Sequence, residues 1–404
     1  LSAMDSQRRV VSGMRPVGRL HLGQYLGVLK SWVRLQHEYD CYFCIADWHA
    51  LIGYPEQAAT VADDALEMAI DWLAAGVSPS SAVLFIQSQV PEHAELHLLL
   101  SALCPAPWLE RMPVYRETHA ERHEQGADSY GFLGYPLLQA ADILLYRAGV
   151  VPVGADQLPN LELARDVARR FNHLFGREAD FEARAEAAIL KLGKKTSRLY
   201  NSLRKAYQEQ GDLEALNTAR ALLMEQSTIT LGDQERLWGY LEGGGRVILP
   251  EPRPLLGETP RITGLDGGRM AEAAGNAIYL RDTPQQIEDK IIHMPTDPTR
   301  VRREDPGEPT RCPVWSLHQV NSDEAVCRWA EQGCRSAGIG CLECKGALVD
   351  AIRTELAPLQ ERAEDYEQNP DLVRSILGEG AERARDEARE TLAEVRRAMG
   401  LHYR

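Results

Sequence analysis

Three uninterrupted apolar runs, spaced by helical patterns, constrain this chain more than any other feature. "RRVVSGM", "CYFCIAD" and "SAVLFIQS" carry β-branched and aromatic residues without polar alternation. Strands of that kind are buried on both faces, which calls for a parallel sheet with helices on either side. The helices between them are legible. In "LHLGQYLGVLKSWVRLQ", Leu22, Leu26, Val28, Leu29, Trp32 and Leu35 recur near helical spacing. "EQAATVADDALEMAIDWLAAG" runs to Gly76, a residue type that closes helices in the left-handed conformation. "YRAGVVPVGADQLPNLELARDVARRF" adds a strand, a loop and a helix. The expected class is α/β, with a parallel sheet covered on both faces.

The chain's 404 residues suffice for two or three domains. Strand–helix alternation occupies residues 4–181. Residues 182–249 read as a helical insertion. There "GDLEALNTARALLMEQ" sets Leu213, Leu216, Ala219, Leu222 and Leu223 on one broad face, and "EGGGR" closes the segment. "RITGLDGGRMAEAAGNAIYL", within residues 250–282, returns to a strand and a glycine-rich loop. Residues 283–404 are read as all-helical. Thr283, Pro284 and Gln286 form a capping-box pattern, a helix starts at Asn369–Pro370, and "ERARDEARETLAEVRRAMG" ends at Gly400.

No apolar run approaches the length of a membrane span, so no membrane partner is expected. No basic segment followed by an apolar stretch opens the chain, so the expected location is the cytoplasm. Thiols stay reduced there, and close cysteines suggest metal or catalysis over disulfides. Net charge is −14, which argues against broad nonspecific nucleic-acid binding, and no DNA partner is expected. "TRVRRE" gathers Arg300, Arg302 and Arg303, as a local basic patch or a solvated turn.

The first strand runs into "SGMRPVGRLHLGQYLG". A strand leading through glycines into a helix suits an anion, because the first helical amides are unpaired and the helix dipole favours negative charge. His21 stands on the last turn before the helix and can donate to a phosphate oxygen. Gly23 lets a flat base approach the backbone. The pattern is neither of the common nucleotide fingerprints, and an ordinary strand–helix turn would look alike.

"HLGQ", His21 to Gln24, resembles the first signature of class I aminoacyl-tRNA synthetases. "LERMPVY", "YGFLGYPLLQAADILLY" and "VPVGADQLPNLELARDVARRFN" narrow the resemblance to bacterial tryptophanyl-tRNA synthetases, over most of the chain and in order. It implies a Rossmann-type catalytic domain (4–181 and 250–282), interrupted by the helical insertion. An all-helical tRNA-binding domain (283–404) would follow. The implied reaction is ATP plus L-tryptophan, with Mg²⁺, to tryptophanyl-adenylate, then transfer to tRNA(Trp) by a homodimer. Negative charge builds on phosphate oxygens during activation, so positioned donors and cations lower the barrier. The resemblance puts His21 and Gln24 on the phosphates, Gly23 against adenine, and Gly154 and Asp156 on the ribose. Arg15 becomes a phosphate ligand. Val11, His49, Tyr135, Gln139, Asp142 and Gln157 would line the amino-acid pocket, with Asp142 accepting the indole N–H. On its own, Asp142 would read as a cap or ion pair of its helix, and His49 as a core histidine. Tyrosyl-tRNA synthetase shares the implied fold and a pocket aspartate.

The second class I signature, KMSKS, belongs between "GLDG" and "GN". Arg269, Met270, Ala271, Glu272 and Ala273 stand there instead. Arg269 keeps the first positive charge. Glu272 puts a carboxylate where a lysine would meet phosphate, reversing the sign of that interaction. A slow or compensated enzyme, or a tRNA- or regulatory-binding paralogue, follows from this. "KLGKKTS" has similar residues but falls in the insertion, so it reads as a solvated basic segment or a tRNA contact.

Cys312, Cys334, Cys341 and Cys344 place one distant thiol before a tight trio. Zinc usually takes two close pairs, whereas one thiolate per iron suits a cubane cluster. A subset of the resembling synthetases holds a [4Fe-4S] cluster on four such cysteines; zinc is the alternative. Cys41, Cys44, Cys104 and Cys327 read as packing, and Cys41 and Cys44 would point to opposite faces of a strand.

Overall fold

The computed structural model describes residues 8–53, 55–117, 129–177, 180–256 and 262–403. The opening residues read for an export signal, 1–7, lie outside these. Strands β1 (Arg9–Met14), β2 (Asp40–Ile45), β3 (Ala82–Ile86), β4 (Val150–Val153) and β5 (Arg253–Leu256) pair in parallel, in the order β3-β2-β1-β4-β5. The chain builds outward from β1 to β3, then returns to the other side of β1 with β4. That reversal opens a crevice beyond the carboxyl ends of β1 and β4, where ligands bind in sheets of this type.

Side chains alternate between two cores. Val10, Cys41, Phe43 and Leu84 enter one, and Val11, Tyr42, Cys44, Val83 and Phe85 the other. Cys41 and Cys44 therefore face opposite ways, as their spacing requires. Trp32 stacks on Phe43 at 4.2 Å between ring centres and meets Trp72 edge-on. The helix Val61–Ala75 ends on Gly76 with φ 104°, the expected left-handed closure.

The strand expected at the start of "RITGLDG" is not formed in the described part of that stretch; residue 261 lies outside it. Thr263 makes only an isolated bridge to Arg269, and the fifth strand lies upstream in "RPLL". Pro254 masked that strand in the sequence. Proline is tolerated there because β5 is an edge strand.

Between the sheet segments, helices Phe181–Lys191, Lys194–Gln210, Leu213–Met224 and Leu231–Leu241 pack on a core of their own, including Tyr200, Ala219, Leu223 and Leu237. Leu216, Ala219 and Leu223 face inward, but Leu213 is 66% exposed and Leu222 only partly covered. Asp212 caps this helix by accepting from the Glu214 and Ala215 amides, and Leu213, the first residue inside the cap, is left toward solvent. "KLGKKTS" straddles a helix end: Lys191 pairs with Asp233 at 2.7 Å, and Lys194 and Lys195 are exposed.

The C-terminal part is helical as expected. Thr283 and Gln286 close a capping box on Pro284–Ile292, and long helices span Cys341–Gln368 and Pro370–Ala398. These two do not stand apart. Leu348, Ile352, Leu356, Val373 and Leu377 share a core with Val10 and Trp32. The last helix lies against β3 through Gly380, Ala381, Ala384 and Ala388, and a Cβ on Gly380 would run into the Leu84 carbonyl. Among the described residues no helix is long and apolar enough to cross a membrane. Gly380→Val is expected to lower the unfolding free energy by about 1–3 kcal/mol, the usual cost of overpacking. Urea titration of the two proteins measures it.

Candidate active site

A cavity of about 850 Å³ opens at the β1/β4 crevice. Its walls include Val11 and Met14 of β1, Val151 and Val153 of β4, and Cys44. Val11, His49, Tyr135, Gln139, Asp142 and Gln157, distant in sequence, all line it, as do Arg15 and Gly154. His21, Gly23, Gln24, Asp156, Arg269 and Met270 do not. A Cβ on Gly154 would sit 2.6 Å from Asp156 Oδ1, so a side chain there would push the exposed Asp156 carboxylate aside.

Asp142 is the most constrained group in the site. It belongs to the helix Tyr130–Leu145 and is neither its cap nor paired along it. Its Oδ2 accepts from His49 Nε2 at 2.8 Å, and its Oδ1 from His93 Nδ1 at 2.7 Å. Gln87 Nε2 donates to both oxygens, at 2.8 and 3.0 Å. Burial would raise the carboxyl pKa; the charge of His93 and hydrogen bonds from His49 and His93 prevail and hold it well below the ordinary range. His49 meets the Tyr135 ring edge-on at 4.5 Å. A cavity that combines apolar walls with the buried Asp142 carboxylate suits a large flat ligand carrying an N–H.

Across the cavity, the buried Asn160 donates to Gln139 Oε1 at 2.8 Å and to Gln157 Oε1 at 3.1 Å. One amide thereby orients two others and leaves their N–H groups free to turn toward a ligand.

The "HLGQ" turn is a mutual cap. His21 Nδ1 accepts from the Gln24 amide at 3.3 Å, and Gln24 Oε1 accepts from the His21 amide at 3.0 Å. Nε2 of His21 takes no part in the cap. A Cβ on Gly23 would lie 3.0 Å from the His21 ring, so a side chain there would press on the cap. Burial, then Arg269, pushes the His21 pKa down to about 4. Arg269 is exposed, whereas Met270 is buried in the core and its amide donates to the Ile262 carbonyl at 2.9 Å. Met270 therefore anchors the loop and does not present itself to a ligand. Burial, and then Asp64, raise the Glu272 pKa.

The four cysteines meet at three helices. Cys312 caps Pro313–Asn321, Cys334 lies near the end of Glu324–Arg335, and Cys341 and Cys344 lie in the opening residues of Cys341–Gln368. Burial, followed by Cys312, Cys334 and Cys341, pushes the Cys344 thiol up to about 12. Among the described residues, no three histidine, cysteine or acidic side chains are arranged closely enough to hold a metal ion. The thiols share a neighbourhood without closing on a centre.

Residues 4–197 and 234–357 match the family described as tRNA synthetases class I (W and Y). The chain belongs to this family. A tryptophan–tRNA ligase of Ralstonia nicotianae is 56% identical over 395 residues, spanning 98% of this chain and 99% of the relative. One of Thermotoga maritima is 36% identical over 397 residues, spanning 98% and 100%. A solved tryptophanyl-tRNA synthetase of Campylobacter jejuni, complexed with ADP and tryptophan, shares the fold, with a TM-score of 0.71 at 24% identity over 97% of this chain and 100% of that one. The stretch between residues 197 and 234 that the family does not match falls among the four inserted helices.

Sequence reasoning missed three residues of this synthetase's site: Gln87, His93 and Asn160. The signal for two of them was a polar residue on an apolar helical face. His93 precedes Leu96 and Leu100, and Asn160 precedes Leu163 and Ala164. Gln87 gave none, since it simply ends an apolar strand. In a proton NMR titration, the His21 ring is expected to stay neutral from pH 8 to 5 and titrate near pH 4. Arg269→Ala raises that midpoint by removing a neighbouring positive charge.

Proposed function

We infer that the chain is a tryptophan–tRNA ligase. One observation carries the reading: a carboxylate held ionised by its donors, Asp142, is buried in the wall of a partly apolar cavity at the switch point of the sheet. An indole fills apolar space and offers one N–H to that acceptor. A ligand without the donor leaves the charge unpaired, which discriminates strongly. The identity to tryptophan–tRNA ligases over nearly the whole chain supports the same conclusion.

For individual residues we propose the roles that the family resemblance implies. Tryptophan lies among Val11, His49, Tyr135, Gln139, Asp142 and Gln157. Its carboxylate oxygen attacks the α-phosphorus of ATP; the bond to the β-phosphate breaks and pyrophosphate leaves. A tRNA hydroxyl then displaces AMP from the adenylate. His21 Nε2, Gln24, Arg15 and Arg269 supply donors and positive charge to the phosphates. Gly23 lets the adenine approach, and Gly154 and Asp156 take the ribose. Mg²⁺ is expected with the nucleotide phosphates. Residues 4–181 and 250–282 form the catalytic domain, 182–249 an insertion and 283–404 a tRNA-binding region. The partners are tRNA(Trp) and a second copy of the chain, in the cytoplasm.

We also propose that Cys312, Cys334, Cys341 and Cys344 hold a [4Fe-4S] cluster, with zinc as the alternative. Two helix starts face this cluster of thiols, and helix dipoles favour thiolate there. Arg300 and Lys345 supply compensating positive charge nearby. The cluster would tie three helices together. Protein purified without oxygen is expected to carry iron and sulfide and to absorb near ~400 nm; colourless protein with stoichiometric zinc excludes the iron cluster.

Glu272 favours a slow enzyme: it faces Asp64 where phosphate charge would arrive. Pyrophosphate exchange is expected with tryptophan and not with tyrosine. Glu272→Lys is expected to raise it about ten-fold or more, as restored charge stabilisation should. No exchange with either amino acid in both proteins, with tRNA binding intact, identifies a binding paralogue instead.

A further inference from the structure

His93 does not line the cavity, yet it links Asp142 to the interior of the fold through Tyr146. The ring is fully buried, and so is Tyr146. Nδ1 lies 2.7 Å from Asp142 Oδ1, and Nε2 lies 2.7 Å from the Tyr146 hydroxyl. A ring nitrogen facing a carboxylate must carry hydrogen, so Nδ1 donates. Nε2 pairs with the Tyr146 hydroxyl, as acceptor when the ring is neutral and as donor when it is charged, and that hydroxyl keeps its proton because burial raises its pKa well above the ordinary value. Tyr146 is itself fixed. Its ring stacks on Tyr42 at 4.9 Å, and its carbonyl accepts from Arg9 Nη1 at 3.1 Å. Asp142, His93 and Tyr146 thus form one continuous hydrogen-bonded chain.

The count of lone pairs gives this chain a consequence. An ionised carboxylate has about four acceptor sites. His93 reaches Oδ1, His49 reaches Oδ2 and Gln87 Nε2 reaches both, so a donor arriving from the cavity must displace one of these contacts. His49 lines the cavity and can move with a ligand, whereas His93 has no room to turn. Resting on the tryptophan reading above, we propose that His93, held by Tyr146, is a positioning residue for specificity: it fixes the Asp142 carboxylate so that Oδ2 meets the indole N–H where the cavity-lining His49 gives way.

The groups facing Asp142 are His49 from the helix Asp47–Gly53, His93 and His97 from Glu92–Ser101, Cys44 from β2, and Tyr135 and Tyr146 from its own helix and the residue that caps it. Loss of His93 leaves burial less opposed. Asp142 then takes up a proton more readily, and the acceptor for indole is lost as pH falls.

Equilibrium dialysis tests this, because binding does not depend on the altered nucleotide loop. Tryptophan is compared with its benzothiophene analogue, in which sulfur replaces the ring N–H. The wild-type chain is expected to prefer tryptophan with a ratio unchanged between pH 8 and 5.5. His93→Leu is expected to cut that ratio about ten-fold, the scale of one buried hydrogen bond, and to weaken tryptophan further as pH falls. His93→Asn, whose amide can donate from the Nδ1 position, restores most of the ratio; Tyr146→Phe falls between. The ratio is internal to whatever fraction is folded, so a destabilised variant still reports. Unchanged discrimination and a flat pH profile in His93→Leu overturn the proposal alone. A wild-type chain that binds neither ligand overturns the tryptophan reading, and this inference with it.

Discussion

The charge on Asp142 sets conditions that the rest of the molecule meets. Among the described residues no arginine or lysine pairs with it, and an unpaired buried carboxylate would take up a proton and stop acting as an acceptor. Histidines and an amide hold it instead, at 2.7–3.0 Å. Gln87 and His93 sit on the chain that leaves β3, whereas His49 follows β2; the segment after β3 must therefore be held too. The last helix does this. Arg385 and Arg389 reach Glu92, the neighbour of His93, and Arg396 reaches Glu95. Partly exposed pairs of this kind contribute little each. The seat of Gly380, Ala384 and Ala388 on the sheet supplies the larger part, through buried apolar area. The C-terminal helix is therefore part of the amino-acid site's support as well as a candidate surface for tRNA.

A second constraint joins the two loops expected to meet ATP. The Leu22 amide donates to the Ile278 carbonyl at 2.8 Å, and the Leu280 amide to the Leu20 carbonyl at 2.9 Å. Asp71, fully buried, accepts from the Leu20 amide at 2.6 Å and from Arg281 Nε at 2.7 Å. Burial pushes the Asp71 pKa up to about 6, against the opposing pull of Arg281. The "HLGQ" turn and the exit of the 262–280 loop thus form one braced unit. The departure from the family signature lies at the tip of that loop, outside the bracing. Its frame is kept while its charge is reversed at Glu272.

The fold was legible where burial writes a simple pattern. Parallel strands had to be apolar throughout, and β1 to β4 announced themselves that way. β5 did not, because an edge strand tolerates Pro254 and Arg253, and these read as loop residues. Gly76 was legible for a related reason: it closes its helix in the left-handed conformation that favours glycine. In the site, the residues lining the cavity came from motif resemblance. Gln87, His93 and Asn160 stayed hidden because a buried polar residue has no period of its own; only its partners explain it. Leu213 failed in the opposite sense, since apolar spacing continued into a cap that leaves the residue facing solvent.

The amino-acid sequence by itself determined the layered α/β class, the capped helix ends and the family, because these depend on local periodicity and on short runs of residues. It also carried the sign of the charge at Glu272. Tertiary structure decided what Asp142 is. A carboxylate at the same position along the chain would be an ordinary helix residue if water surrounded it. Here two histidines and a glutamine from two other segments converge on it, and that convergence keeps a buried acid ionised. Local sequence cannot encode this, because the energy of a charge depends on the dielectric and the donors around it in space.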